Sequence, residues 1–334
     1  MDEDDKLAGE DSLIQTYFAP LTSAFSGAYG LKEDCAALTP EPGHDLVLTT
    51  DAISEGIHFR PGDAPEDIAW RSVAVNVSDL AAKGARPIGY LLSLAFPELP
   101  DRDWLKRFTN GLREAQDQFG IVLMGGDTDR RPGSPLSATV MAVGSVPQGC
   151  MIRRGTARPG DLIYVSGTLG DAAIGLRVSA SAPVTGLADD DRAFLEKRYL
   201  RPQPRVALRD ALLAHARAAM DISDGLAKDL GRLCNASQLG AEILSASLPL
   251  SDPARRAIEL HPELANLPLA GGDDYEILAA IAPGQASAFE AAAQSVSIPV
   301  TRIGILRPEP GVRIFDADGK LISLRQSGYD HFGL

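Results

Sequence analysis

Acidic side chains that follow short apolar runs recur at five places along the chain. The five segments share small residues beside one or more acids, and they are LKEDCA, VLTTDA, LMGGDTD, AMDISDG and LAGGDDYE. In a sixth segment, Asp79 interrupts the apolar stretch AVNVSDLAAKGA. A carboxylate is costly to remove from water unless it is paired or bound to metal, and few basic residues adjoin these acids. The pattern therefore predicts that the acids bind metal ions.

Magnesium is the metal that suits such a set of acids. It takes oxygen ligands, keeps several waters and is commonly held by carboxylates together with substrate phosphates. In any single segment, an Asp that turns the chain or caps a helix is the simpler interpretation. Recurrence in five segments favours metal binding, with several Mg²⁺ ions sharing the acids. For Asp79 alone, a metal ligand and a solvated or capping acid are equal alternatives.

Two segments have features of phosphate-binding turns. Asp221, Ser223 and Asp224 directly precede a predicted helix, where backbone N–H groups attract phosphate and the acids attract its metal. In VSGTLGDAAIGL two glycines would let the backbone approach an anion, a weak signal because many strand-to-helix turns contain two glycines. The sequence has no GxxxxGK[ST], HExxH or GxSxG motif, which disfavours P-loop kinases, zinc hydrolases and serine esterases.

Two further side chains could contact a substrate. His58 follows the TTD segment in EGIHF, so it could reach a substrate near Asp51, although a lone histidine is more often structural. Arg154 in IRRGTARPGD could contact phosphate or be solvated. Spacing alone does not decide either residue.

Net charge narrows the classes of partner. The 334 residues include 32 Lys and Arg against 45 Asp and Glu, a net charge of -13, which is the wrong sign for binding nucleic acid. An acidic surface also repels a phosphorylated substrate unless bound cations reverse the local potential. Three scattered cysteines, no apolar run of transmembrane length and an acidic start predict a cytoplasmic protein without a membrane partner.

The chain is long enough for two domains, and we expect the boundary near residue 147. Residues 1–8 are polar and are predicted to be a disordered leader. In the first half, apolar patterns predict a buried strand at 46–48, strands at 121–124 and 138–144, and helices at 65–83 and 103–119. The second helix is expected to place an apolar stripe in the core. The first two strands are expected to end at Asp51 and at the GGD segment. In the second half we expect a strand, turn and helix from DLIYVSGTLGDAAIGL, helices near 188–199 and 204–217, and a hairpin of 312–315 with 321–324.

Taken in order, nine segments resemble the thiamine-monophosphate kinase family: KEDCA, TTDAISEGIHF, NVSDLAAKGA, GGDTDR, RRGTARPGD, VSGTLGD, MDISDGLAKDL, GGDDYE and GYDHF. The resemblance spans about residues 9–332. It implies a thiamine-biosynthesis enzyme, a magnesium-dependent homodimer that uses ATP to phosphorylate thiamine monophosphate to thiamine diphosphate. It also implies a two-domain α/β (α+β) fold like that of aminoimidazole ribonucleotide synthetase. In that fold, residues 9–147 would bind metal and ATP and form a dimer barrel with their sheet, and 148–334 would be an α/β domain that completes the active site.

Matching the motifs residue by residue gives the implied site. The magnesium positions correspond to Asp34, Thr49, Thr50, Asp51, Asp79, Asp127, Asp221 and Asp224, of which Asp51, Asp79, Asp127 and Asp221 are expected to be catalytic. The nucleotide contacts correspond to Gly126, Asp127, Arg154 and Ser223. The substrate contacts correspond to His58, Asp273 and Gln326.

This sequence departs from the family pattern at three places. The family's GDDCA is KEDCA in this sequence, which keeps Asp34. The family's GGEDYE is GGDDYE here, so the side chain of Asp273 is one methylene shorter than that of the usual acid. Gln326 replaces an aromatic residue expected before GYDHF, which removes a stacking partner for an aromatic substrate ring. The second and third departures concern expected substrate contacts, and none of the three changes an expected metal ligand.

The expected reaction is direct in-line attack of the substrate phosphate on the γ-phosphorus of ATP, with no phosphoenzyme. One alternative is another ATP-using synthetase of the superfamily, such as a selenophosphate or aminoimidazole ribonucleotide synthetase. No Cys lies near the N-terminal glycines, which counts against selenium chemistry. A second alternative is a non-catalytic acidic metal-binding protein.

Overall fold

A computed structural model describes residues 9–179, 184–324, 328 and 329. The chain divides into two compact units. One holds residues up to Leu80 together with Ala85–Gly149, and the other holds Ala81–Gly84 with the chain from Cys150 onward. Each unit combines a sheet with helices, which confirms the α/β class. The leader predicted at 1–8 lies outside the described residues. None of the helices in the described ranges is long and apolar enough to cross a membrane.

The first unit is built on a four-stranded sheet with the order β1-β4-β2-β3. Its strands are β1 (His44–Ser54), β2 (Arg86–Phe96), β3 (Val122–Arg130) and β4 (Ser137–Pro147). β4 runs antiparallel to both β1 and β2. β2 and β3 are parallel, which requires a crossover connection between them.

Three α-helices belong to this unit: α1 (Glu10–Leu13), α2 (Pro65–Ala82) and α3 (Arg102–Phe119). α3 supplies the crossover between β2 and β3. The Asp101 side chain caps α3 by accepting a hydrogen bond from the Trp104 N–H at 2.6 Å, and Gly120 ends the helix with a φ of 64°. The predicted apolar stripe, including Phe108 and Leu112, is buried. The predictions of both long helices are therefore confirmed.

The strands that carry the acids are longer than the apolar pattern predicts. β1 continues to Ser54, which lies opposite Ser137, so Asp51 lies inside the strand and not at its end. β3 likewise continues through GGDTDR. The prediction that residues 46–48 are buried is wrong at Leu48, which is 62% exposed because it lies on the outer face of the sheet.

The second unit is built on a six-stranded sheet with the order β10-β7-β9-β5-β8-β6. The strands are β5 (Leu162–Ser166), β6 (Ala216–Ile222), β7 (Gly240–Leu244), β8 (Glu276–Ile281), β9 (Val300–Arg307) and β10 (Gly311–Phe315). Neighbours are antiparallel except β7 and β10, which are parallel. Of the predicted hairpin, β10 forms, but its partner at 321–324 is reduced to one bridge between Phe315 and Leu321.

Helices cover both faces of this sheet. They are α4 (Asp171–Val178), α5 (Asp189–Leu200), α6 (Arg209–His215), α7 (Leu226–Ser237), α8 (Asp252–Leu260), α9 (Leu267–Ala270) and α10 (Ala286–Ser295). One core lies between α7 and inward residues such as Ile163 and Leu278. The other core lies between α6, α10 and residues such as Tyr164 and Ile277. Adjacent strand residues thus enter different cores, as the alternation of side chains requires.

Candidate active site

Three of the predicted site residues of the first unit gather where β1 meets α2. The Thr49 hydroxyl donates a hydrogen bond to Asp79 Oδ2 at 2.5 Å. The Asp51 N–H donates to Asn76 Oδ1 at 2.9 Å. Thr49 and Asp51 share one face of β1, while Asn76 and Asp79 are three residues apart on α2 and share its side. The structure therefore brings together three of the predicted metal residues.

Asn76 is a residue of this group that the motif comparison missed. It is fully buried, and its Nδ2 donates to the Ser72 carbonyl at 3.1 Å while its Oδ1 holds the backbone of Asp51. Its position three residues before Asp79 was the available signal, because that spacing puts both side chains on one helix face.

Asp127 and Gly126 lie side by side on β3, and both are exposed. Asp127 lies opposite Ser93 of β2. A Cβ at Gly126 would overlap the Leu92 carbonyl oxygen, so the close approach of the two strands requires glycine here. The exposed carboxylate of Asp127 is accessible to a ligand.

Three other predicted residues of this unit have separate surroundings. The Thr50 hydroxyl donates to the Val140 carbonyl at 3.1 Å, so it is directed at β4 and not at Asp79. Asp34 is exposed in the loop that follows a 3₁₀ turn at Ser26–Leu31. His58 closes the turn after β1, where its Nδ1 accepts a hydrogen bond from the Ser54 N–H at 3.1 Å. With Nδ1 as the acceptor, the neutral imidazole carries its proton on Nε2.

In the second unit, the DISDG turn joins β6 to α7 and is held by Asp229. This fully buried carboxylate accepts hydrogen bonds from the Ser223 N–H at 3.1 Å and the Asp224 N–H at 2.9 Å. Burial raises the pKa of Asp229, although the Asp224 N–H and Arg232 act in the opposite direction. Sequence reasoning missed Asp229; the signal was an acid in the first turn of a helix whose N-cap, Gly225, has no side chain.

Asp224 is neutralised by two basic side chains. Its Oδ2 lies 3.1 Å from Lys228 Nζ and 2.6 Å from a guanidinium nitrogen of Arg232. Arg232 also pairs with Asp229 at 2.6 Å. The Tyr329 N–H donates to the Asp224 carbonyl at 3.0 Å, which brings the start of the GYDHF motif to this turn. Gln326, three residues earlier, lies outside the described residues.

The GGDDYE segment lies directly beside the DISDG turn. The Asp273 N–H donates to the Ser223 carbonyl at 2.8 Å, and the Tyr275 N–H donates to the Ile222 carbonyl at 2.8 Å. Asp273 and Tyr275 have φ values of 71° and 50°. Such left-handed conformations of residues other than glycine cost about 1–3 kcal/mol each and persist where the surroundings fix them. Ser223, Asp224 and Asp273 are thus brought together, with Asp221 buried in the preceding strand.

Arg154 is separated from these residues along α7. Its carbonyl accepts a hydrogen bond from the Ser237 hydroxyl at 2.8 Å, at the last residue of this helix of 12 residues. Ser223 and Asp224 precede the first residue, so about 18 Å of helix lies between the two positions. The structure does not bring the Arg154 backbone to the DISDG turn.

The oxygen groups fit magnesium only when other ligands contribute. Within 9–179, 184–324, 328 and 329, no three His, Cys, Asp or Glu side chains are close enough to hold a metal ion by themselves. Mg²⁺ is commonly bound through one or two carboxylates, several waters and substrate phosphates. The Thr49 and Asp79 pair and the accessible Asp127 suit that mode, in which a phosphorylated substrate completes the coordination.

Comparison with known proteins identifies the family. Residues 32–146 match the AIR synthase related protein N-terminal domain, and residues 158–317 match the corresponding C-terminal domain. Thiamine-monophosphate kinase of Escherichia coli strain K12 is 40% identical, with 97% of this chain and 98% of the relative covered. The Bacillus subtilis enzyme of that name is 30% identical, with 91% and 93% covered. The chain belongs to the thiamine-monophosphate kinase family.

Solved structures agree with membership of this kinase family. The thiamine-monophosphate kinase from Stenotrophomonas maltophilia K279a has a TM-score of 0.79 and 41% identity, covering 87% of this chain and 91% of its own. AaThiL complexed with AMPPCP and TMP has a TM-score of 0.77 and 31% identity, covering 97% of both chains. The hydrogenase maturation protein HypE in complex with ATP, at 22% identity and a TM-score of 0.76, shows the same fold. As a member of the family, the protein is a kinase with the two-domain AIR synthase-related fold.

Proposed function

We propose that the protein transfers the γ-phosphoryl group of ATP to thiamine monophosphate and forms thiamine diphosphate. The observation that carries this proposal is the likeness over 97% of both chains to a structure complexed with AMPPCP, an ATP analogue, and TMP. The clustering of Thr49, Asp51 and Asp79 supports it, because two anionic substrates need a cationic counterpart on a chain with a net charge of -13.

Magnesium is the cofactor that these oxygen groups would hold. The proposed ligands are the aspartates and threonines of the matched motifs: Asp34, Thr49, Thr50, Asp51, Asp79, Asp127, Asp221 and Asp224. When bound, Mg²⁺ supplies positive charge that offsets the charge developing between the two phosphates. The ligands to which we assign a catalytic role, by holding the metal ions that offset this charge, are Asp51, Asp79, Asp127 and Asp221.

The remaining contribution of the protein is to orient the two substrates. Gly126, Asp127, Arg154 and Ser223 are assigned to ATP, and His58, Asp273 and Gln326 to thiamine monophosphate. The acceptor phosphate is already ionised at neutral pH, so no side chain needs to remove a proton from it. Phosphoryl transfer of this kind depends on alignment and charge stabilisation more than on covalent chemistry, which favours direct in-line transfer.

We infer that the protein forms a homodimer through its first unit, which the sequence predicts as residues 9–147. Leu48 is 62% exposed and Leu91 is 36% exposed. Leu48 lies opposite Val143, and Leu91 lies opposite Met141, so these apolar side chains adjoin on the outer face of the sheet. A contiguous apolar face of this kind is characteristic of an interface.

The cytoplasm is the compartment that this function and the cysteines favour. Cys35 and Cys150 are exposed, Cys234 is buried, and no two of the three are joined in a disulfide. Exposed cysteines outside disulfides suit a reducing compartment, where disulfides rarely persist.

Direct assay of the purified protein tests the proposal. It is incubated with ATP, Mg²⁺ and a panel of phosphorylated acceptors together with unphosphorylated thiamine, and the products are separated by chromatography. We expect ADP and thiamine diphosphate to form in equal amounts, only with thiamine monophosphate and Mg²⁺. Absence of turnover with thiamine monophosphate, or faster turnover with another acceptor, would overturn the assignment.

A further inference from the structure

The GGDDYE segment contains two buried acids, Asp274 and Glu276, to which no role has been assigned. Asp273 and Tyr275 adopt left-handed backbone conformations, and they alternate with Asp274 and Glu276, which are 2% and 0% exposed. A backbone of this kind returns to an ordinary conformation unless its neighbours fix it. The contacts of the two buried acids show what fixes it.

Asp274 occupies the start of α4. Its two carboxyl oxygens both accept from the Gly170 N–H, at 3.0 and 2.9 Å. Gly170 is the N-cap of α4, with a φ of 83°. Burial raises the pKa of Asp274 well above its usual range, and the hydrogen bond from the Gly170 N–H acts in the opposite direction. The VSGTLGD turn, which the sequence offered as a phosphate cradle, therefore holds a carboxyl group of the protein itself.

Glu276 is held by two guanidinium groups and a hydroxyl. Arg205 contacts both of its oxygens, with Nε at 2.6 Å from Oε2. Arg198 donates to Oε1 at 2.9 Å, and the Ser166 hydroxyl donates to Oε2 at 2.6 Å. A Cβ at Gly167 would overlap the Glu276 carboxylate, so this glycine makes room for it. Charged groups with this many hydrogen bonds form a rigid attachment at the start of β8.

The contacts of Asp274 and Glu276 fix the position of Asp273. Its N–H is hydrogen bonded to the Ser223 carbonyl, and the Tyr275 hydroxyl lies 3.4 Å from Asp273 Oδ1. If the attachments at Asp274 and Glu276 were released, relaxation of the two left-handed residues would turn the Asp273 side chain away from Ser223. Alignment of a substrate-binding group depends on such supporting contacts.

We propose that Asp274, supported by Glu276, is a positioning residue for the phosphate acceptor: it fixes the strained backbone that holds the Asp273 carboxylate beside the DISDG turn. The proposal rests on the proposed function, in which Asp273 contacts thiamine monophosphate. It specifies that Asp274 acts on acceptor affinity and acts only through Asp273.

A double-mutant cycle tests this dependence. Asp274→Ala is expected to raise KM for thiamine monophosphate about tenfold while kcat and KM for ATP change less than about twofold. Asp273→Ala should raise the same KM at least as much, and adding Asp274→Ala to it should produce no further change. Asp274→Asn keeps an oxygen that accepts from Gly170, so it should restore KM to within about threefold of the wild type. Independent, additive effects of the two alanine substitutions would overturn the proposal.

Asp161→Ala is the matched control. Asp161 is also fully buried, accepts from the Arg158 N–H at 2.8 Å and pairs with Arg217 at 2.7 Å. It directly precedes the first residue of β5, whereas Ser166, which contacts Glu276, is the last residue of that strand. Its removal should lower the unfolding temperature and leave KM for thiamine monophosphate within about twofold. An equal rise in KM for Asp161→Ala would mean that general destabilisation explains both variants.

Hydrogen exchange separates failure of this proposal from failure of the proposed function. In Asp274→Ala the amides of Asp273 and Tyr275 should exchange at least about tenfold faster, while amides of α10 keep their protection.

If the wild type does not phosphorylate thiamine monophosphate, the proposed function fails and acceptor positioning fails with it. If the wild type is active but exchange and KM are unchanged in Asp274→Ala, the positioning role alone is overturned. Should Asp274→Ala not fold, Glu276→Gln is expected to give the same changes at about threefold size, and their absence is equally decisive.

Discussion

The two units surround their proposed metal-binding acids with different charges. In the first unit, neither Asp79 nor Asp127 forms an ion pair with a basic side chain of the described ranges, and Asp79 accepts a hydrogen bond from Thr49. In the second unit, Asp224 lies against Lys228 and Arg232. A carboxylate with two basic neighbours has less charge left to attract a cation. The comparison predicts that activity depends more strongly on metal binding by the first unit than by the second.

Asp127→Asn tests the metal dependence of the first unit and has the largest expected effect. Loss of one charged ligand should lower kcat by about a hundredfold or more, because charge stabilisation is usually the largest part of such catalysis. Steady-state assays with thiamine monophosphate at saturating ATP measure it.

Asp129→Asn is its matched control, two residues along the same strand. Arg131 donates to Asp129 at 2.8 Å, and this hydrogen bond lowers the pKa of Asp129 below its usual value. Its charge is already compensated, so kcat should change by less than about twofold. Equal losses in the two variants would show that the strand as a whole, and not the ligand, was damaged.

Asp229→Ala tests how the second unit holds its turn. Removal of this buried carboxylate leaves the Ser223 and Asp224 N–H groups without their acceptor and Arg232 without one partner. The free energy of unfolding should fall by about 2–3 kcal/mol, with urea denaturation as the measurement. Asp229→Asn retains an acceptor oxygen and should lose less. A variant as stable as the wild type would show that water replaces the carboxylate without cost.

Lys228→Met has the smallest expected effect and tests the compensated charge of Asp224 directly. The substitution keeps the apolar stem and removes one of the two positive charges near Asp224. The Mg²⁺ concentration for half-maximal activity should fall by about threefold, since one neighbouring charge near a protein surface is worth on the order of 1 kcal/mol. A higher Mg²⁺ requirement would instead show that Lys228 helps to bind a substrate phosphate.

Helix periodicity made α2 and α3 predictable, but the lengths of the acid-bearing strands were not. The apolar run of β1 stops at Leu48, yet pairing with β4 carries the strand to Ser54. Pairing with β2 similarly carries β3 through Asp127 to Arg130. Strand pairing is a tertiary property that a local pattern does not contain. Asp51 and Asp127 were therefore found as residues but placed in the wrong local structure.

Side-chain partners were predictable within a helix and not between distant segments. Asn76 precedes Asp79 on α2, and Asp229 lies one turn into α7, so helical spacing could have found both. The arginines on Glu276 are 71 and 78 residues away in the sequence. No motif links them, because only the tertiary fold brings α5 and the loop after it to the start of β8. For the same reason, the sequence suggested a phosphate at the VSGTLGD turn where the fold places Asp274.

The position of β5 also dictates when the second unit can be assembled on the ribosome. β5 ends at Ser166, but its two neighbours, β8 and β9, begin only at Glu276 and Val300. A nascent chain must therefore carry an unpaired central strand until more than a hundred further residues have been synthesised. The first unit, whose four strands all lie before residue 148, has its whole sheet available much earlier. Truncation after β7 should thus leave the second unit unable to form its sheet while the first unit retains every strand of its own.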